Sequence, residues 1–128
     1  MQNNLVKLLK LWVPVLAWAG FIFYLSSIPD LKTSLEYDFV LRKIAHAAEY
    51  FILTFLLYRA FKGQLKMGTL LLIIYPATLS FLYAASDEFH QSFVIGRTCS
   101  FGDVLIDTIG IISFFIVIQI LTVKQKSR

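Results

Sequence analysis

The chain has 128 residues, 58% of them apolar and 16% aromatic, and a net charge of +4; its mean hydropathy is +0.72. Soluble domains run at about 45–50% apolar residues, and one this small has too little interior for the excess, so composition excludes an ordinary soluble globular domain and points to lipid as the solvent. The basic balance does not point to nucleic acid, because no basic stretch interleaved with aromatics stands outside the apolar runs; basic loops facing an anionic leaflet account for it.

The first uncharged run is Leu11 to Pro29. Lys7 and Lys10 before it, and Ser26 and Ser27 near its end, resemble a secretory signal. The run is longer than an h-region of about 7–15 residues and no A-x-A site follows, so it reads as an uncleaved first span, about residues 9–28. The second segment, about 40–61, is apolar apart from a few groups that include His46, Glu49 and Arg59. An interfacial helix is the alternative there; its length and the run from Tyr50 to Tyr58 favour spanning. Met67 to Ser86 carries no charge, and Val104 to Val123 contains only Asp107. These give a third span at about 67–90 and a fourth at about 102–123, each near the 20 helical residues that a hydrocarbon core of about 30 Å requires. The expected fold is all-α: one domain, 1–128, an antiparallel bundle of four transmembrane helices. Cys99 is the sole cysteine, which excludes an intramolecular disulfide and a zinc–thiolate set; it reads as a small loop residue.

Charge sets the orientation. Lys7, Lys10, Arg59, Lys62, Lys66, Lys124, Lys126 and Arg128 lie at the two termini and in the second connection, whereas Lys32, Arg42, Lys43 and Arg97 belong to the other side. By the positive-inside rule both termini are cytoplasmic. The acids Asp30, Glu36, Asp38, Glu49, Asp87, Glu88, Asp103 and Asp107 then all fall outside or in the outer half of the bundle.

Asp38 is placed to cap the second helix. On that helix Lys43, His46, Glu49 and Tyr50 are spaced to share a face. Counting back from Lys62 at about 1.5 Å per residue puts Glu49 roughly 20 Å from the inner boundary. Asp87, His90 and Gln91 share a face of the third helix, with Glu88 about 100° away. Asp103 and Asp107 open the fourth; Ser100 and Asp103 approximate a capping box, and Gly96 and Gly102 suit turns. Acids deep in lipid each cost about 2.5–3.5 kcal/mol on insertion scales, so they turn inward, pair and mark sites. The expectation is an outward-facing polar pocket of Lys43, His46, Glu49, Tyr50, Asp87, Glu88, His90, Gln91, Arg97, Asp103 and Asp107. Plainer readings stay open: Asp103 as a helix N-terminal charge, Lys43 snorkelling, Arg97 paired with Asp87 or Asp103, Glu88 solvated, His90 on a polar rim, and the whole set as a structural network.

Two blocks then carry a family resemblance. RKIAHAAEYFIL, Arg42 to Leu53, fits a basic residue followed by His and Glu-Tyr. SDEFHQSFVIGRTCSFGDVLIDTIG, Ser86 to Gly110, fits Asp-Glu-x-x-Gln, then Gly-Arg, an Asp, and an Asp before Gly; FYLSSIP, Phe23 to Pro29, fits the end of a first span. The chain resembles the VanZ-like family of small bacterial membrane proteins. It departs at Arg42, where a polar residue such as Asp often precedes the lysine, and at Ile95, where proline often precedes Gly-Arg. The resemblance implies a multi-pass bacterial plasma-membrane protein of the cell envelope, and the family's namesake is associated with low-level teicoplanin resistance. It implies no settled mechanism. The phosphotransbutyrylase name borne by some members finds no support, because no phosphate-cradling Gly-rich loop or nucleotide motif is present.

Two functions are carried forward, and whether the protein is an enzyme stays open. One is binding of an amphiphile at the outer leaflet, with membrane lipid, a lipid-linked cell-wall precursor or a lipoglycopeptide as partner and Lys43 and Arg97 meeting its head. The other is an intramembrane hydrolase or transferase on an envelope lipid, with His46, Glu49, Asp87 and His90 as catalytic candidates and a divalent metal between them as an option. No other cofactor is indicated. A proton-relay or transport role is weaker, since four short helices show no broken-helix repeat. Oligomeric state is not legible.

Overall fold

The computed structural model describes residues 2–29 and 36–127. Asp30, Lys32 and Arg128, which contribute to the charge pattern, lie outside the described residues. The described chain is four α-helices without a strand: α1 (Gln2–Ser27), α2 (Asp38–Gln64), α3 (Thr69–Gln91) and α4 (Phe101–Lys126). The helices α1, α3 and α4 are long and apolar enough to cross a membrane; at 1.5 Å per residue each exceeds the hydrocarbon core of about 30 Å.

The fourth helix that was expected to span, α2, is not among these three. It is as long as the others but carries Asp38, Arg42, Lys43, Glu49, Arg59 and Lys62. Its surroundings show how a helix with that load is accommodated. The α2 and α3 helices each touch all three others, whereas α1 and α4 do not touch each other among the described residues. Ionisable groups in a lipid-facing bundle are least costly when turned toward protein, and the most polar helix is one of the two that contact every other helix. Tyr50, Leu53, Leu57 and Ala60 of α2 pack with Val15 and Ile22 of α1, Ala84 of α3 and Ile111 of α4. The outward side chains of α1, α3 and α4, among them Leu16, Leu82 and Ile120, remain exposed and apolar.

Two backbone features fix how helices meet. Pro14 lies inside α1 and has no N–H for the Lys10 carbonyl one turn earlier. Arg59 Nη2 donates to that carbonyl at 2.6 Å, so the gap in the α1 ladder becomes an attachment point for α2. On the other side of α2, the backbones of α2 and α4 approach closely at Ala47 and Gly110. A Cβ at Gly110 would lie 2.1 Å from the Ala47 carbonyl oxygen; small residues permit such approaches in membrane bundles.

Helix ends differ from the sequence reading in three places. Asp38 is the first residue of α2, not its cap; Tyr37 holds the cap position without a side-chain bond, and Asp38 instead pairs with Arg42 at 2.9 Å. Ser100 caps α4 in position, but its side chain makes no capping bond: the Asp103 N–H donates to the Ser100 carbonyl at 3.0 Å, and the Asp103 carboxylate is turned to Lys43. Gly102 lies in the first turn of α4, while Gly96 does take the left-handed turn, with φ of 78°.

The close approach makes a sharp prediction. Gly110→Ala must push α4 from α2 and is expected to cost about 1–3 kcal/mol, the usual range for overpacking. Gly20→Ala, with nothing within 4 Å of the added Cβ, is expected to be neutral or slightly stabilising, by at most about 1 kcal/mol. Thermal unfolding in detergent checks both; equal melting temperatures for the two variants would contradict the packing described.

Candidate functional site

The seam between α2 and α4 is built from residues that advance together along both helices. Lys43 is ion-paired with Asp103. One turn on, His46 Nδ1 faces Asp107 Oδ1 at 3.2 Å. Next comes the Ala47–Gly110 approach, and then Phe114 packs against Phe51, Phe55 and Tyr58. Positions 103, 107, 110 and 114 are spaced four, three and four, the stripe of a helix face that meets one partner. Polar contacts thus fill the first half of the seam and aromatic ones the second. Asp107 is fully buried.

A second polar cluster joins α1 to α3. Ser26 donates its hydroxyl to Asp87 Oδ1, and Gln91 Nε2 donates to Asp87 Oδ2 at 3.0 Å. Both Asp87 oxygens are therefore served by neutral donors. Ser27 Oγ lies 3.1 Å from His90 Nε2, and the His90 ring packs on Phe23. His90 thus belongs to the α1–α3 edge and does not meet His46 across the bundle. Between α2 and α3, Thr54 donates to Ser80 at 2.9 Å.

The α3–α4 connection closes over this end. Arg97 donates to the carbonyls of Leu25 at 2.9 Å and Ile28 at 3.2 Å, serving the orphan carbonyls at the end of α1. It does not pair with Asp87 or Asp103. Glu88, one of whose sequence readings was a solvated side chain, is buried, and its Oε2 accepts the Ser100 N–H at 3.1 Å. Glu49, a catalytic candidate alongside His46, makes no hydrogen bond to its ring: the ring of His46 is turned to Asp107, on another helix.

Two connected cavities open at this end. A cleft of about 330 Å³ is lined in part by Arg42, Lys43, His46, Gln91, Arg97 and Asp103. A recess of about 60 Å³ shares Arg42, His46, Gln91 and Arg97 with it and extends to Ser26 and Glu49. Of the predicted pocket residues, Tyr50, Asp87, Glu88, His90 and Asp107 do not line either cavity. Tyr50, Asp87, Glu88 and Asp107 are buried. Sequence reasoning missed Ser26 and Ser27 as partners of Asp87 and His90, and Arg42 as a cleft residue. The available signal was a pair of hydroxyls ending an otherwise apolar run. His46, Glu88 and Asp107 each offer a ligand atom, all within 4.8 Å of one another, and Glu88 Oε1 and Asp107 Oδ2 are buried without a hydrogen-bond partner.

The apolar helices and the polar cluster gathered at one end define a helical protein of the membrane class. Within that class, the chain belongs to the VanZ/LLP1 family, whose model matches residues 3–122. No curated protein matches the chain. No solved structure matches it.

Arg97 spans two carbonyls that a single ammonium would not reach with the same fork. Arg97→Lys is expected to lower stability by about 1–3 kcal/mol. Unfolding that superimposes on wild type would show that Arg97 does not fasten the connection to α1.

Proposed function

We propose that this VanZ/LLP1 protein is a multi-pass protein of the bacterial plasma membrane whose cleft receives the anionic head of an amphiphile. A lipid-linked cell-wall component or a lipoglycopeptide has that form. In this reading the four helices run antiparallel, α2 included, both termini are cytoplasmic, and the cleft faces outward. The positive-inside distribution supports that orientation. The pairing of Trp12 with Gln64, at the end remote from Ser26 and Asp87, supports the antiparallel run of α1 and α2.

The observation that carries the proposal is the cleft lining. Arg42, Lys43 and Arg97 meet there beside His46 and Gln91, at one end of helices whose outer faces are apolar. Guanidinium and ammonium groups suit phosphate or carboxylate oxygens, and lipid-facing side chains of α1 and α3 suit an acyl or prenyl tail. Retention of such a ligand at the outer leaflet would connect the protein to glycopeptide resistance of the teicoplanin type. A second reading is favoured by the pairing of His46 with Asp107 at the cleft wall: a histidine oriented by a buried carboxylate is the arrangement of a general base, which would make the protein an intramembrane hydrolase or transferase on the same ligand.

The test is equilibrium binding to the full chain in lipid nanodiscs, using a lipid-linked cell-wall precursor and teicoplanin as probes. Saturable binding that weakens by about tenfold or more in Arg42→Gln with Lys43→Gln, equivalent to about 1.4 kcal/mol, is expected. No saturable binding of either probe, with resistance unaltered by the double substitution, would eliminate the binding reading. Probe turnover lost in His46→Gln with binding retained would select the enzyme instead.

A further inference from the structure

We infer that His46, Glu88 and Asp107 form a binding site for one divalent transition-metal cation, buried where α2, α3 and α4 meet. The three side chains come from three different helices, and their ligand atoms lie within 4.8 Å of one another. That spread closes onto an ion with ligand distances of about 2.0–2.2 Å by a small movement of one side chain.

The oxygens without partners point to a ligand independently. Glu88 is 2% exposed and Asp107 0%, yet Glu88 Oε1 and Asp107 Oδ2 have no hydrogen-bond partner. Buried polar atoms are nearly always satisfied, and one that is not calls for an ion, a water or a strained role. Nearby cations do not supply the missing partner. Lys43 is paired with Asp103, Arg42 with Asp38, and Arg97 with two backbone carbonyls. Glu88 receives one N–H, from Ser100, and Asp107 receives His46. A divalent cation would neutralise both acids and occupy both free oxygens together.

Ligand chemistry narrows the metal. One imidazole with two carboxylates suits Zn²⁺, Mn²⁺ or Fe²⁺ better than Ca²⁺ or Mg²⁺, which favour all-oxygen sets. Three protein ligands leave at least one position open. His46 is the member of the trio that also lines the cleft, so the open position is reached from that side. The Ser100 N–H on Glu88 Oε2 acts as an orienting contact behind the ligand. The site does not depend on what the cleft binds.

The test uses the full chain in nanodiscs, stripped with EDTA and dialysed against Mn²⁺, Co²⁺ or Zn²⁺ alone. Metal content by mass spectrometry, Mn²⁺ paramagnetic resonance and the melting temperature are the readouts. About one equivalent per chain is expected, with a metal-dependent rise in melting temperature. Glu88→Gln, Asp107→Asn and His46→Gln should each weaken binding about tenfold or more, as loss of a ligand does, and lose that rise. Glu49→Gln and Asp103→Asn, outside the trio, should keep both. Less than about a tenth of an equivalent in folded wild type would overturn the site, as would full binding in folded Glu88→Gln or equal loss in the two controls. Where a substitution prevents folding, the wild-type metal content and melting shift decide the matter.

Discussion

A fully buried carboxylate, Asp107, set against His46 in the seam of α2 and α4 is the constraint on which the architecture rests. On insertion scales an acid in the hydrocarbon costs about 2.5–3.5 kcal/mol, so such a group is kept only if its surroundings compensate. Compensation here requires α2 and α4 to lie close and in step, which Gly110 allows by admitting the Ala47 carbonyl against the α4 backbone. It also places α2, the helix that bears the histidine, in contact with the other three.

The same constraint concentrates chemistry at one end. Polar contacts from all four helices converge there: Ser26 with Asp87, Lys43 with Asp103, Glu88 with the Ser100 N–H, and Arg97 with the end of α1. At the other end the helices meet through aromatic stacking, as in Phe61 on Tyr75, and through Arg59 on the carbonyl left free by Pro14. Aromatic packing tolerates lipid, whereas the polar end encloses a cleft lined by cations. A bundle divided in this way supports recognition of a molecule that is itself divided between a charged head and an apolar tail.

The helices were legible because their signals are local. Three long runs with at most one charge each read directly as α1, α3 and α4, and the face shared by Lys43, His46, Glu49 and Tyr50 identified α2 as the polar partner. Depth counting set His46 near Asp107, which the seam of α2 and α4 joins, but Asp87, set beside them, turns to Ser26 of α1. Partner choice was not legible. Spacing does not determine helix rotation, so Glu88, placed away from the Asp87 face, is in fact turned toward α4 and the Ser100 N–H. Arg97 was read against acids and instead serves carbonyls of α1, because helix C-termini present orphan acceptors that carry no side-chain signature. Glu49 shares a face of α2 with His46, yet the ring is met by a residue sixty-one positions away. Ser26 carried only the weak signal of a hydroxyl in an apolar run.

The coupling between His46 and Asp107 is the most direct measure of the central constraint. A double-mutant cycle with His46→Gln and Asp107→Asn, followed by thermal unfolding in nanodiscs with EDTA present, isolates it from any bound metal. If the pair holds α2 and α4 together, the interaction energy is about 1–3 kcal/mol, as for contacting residues in one network. Strict additivity of the two substitutions would contradict the account.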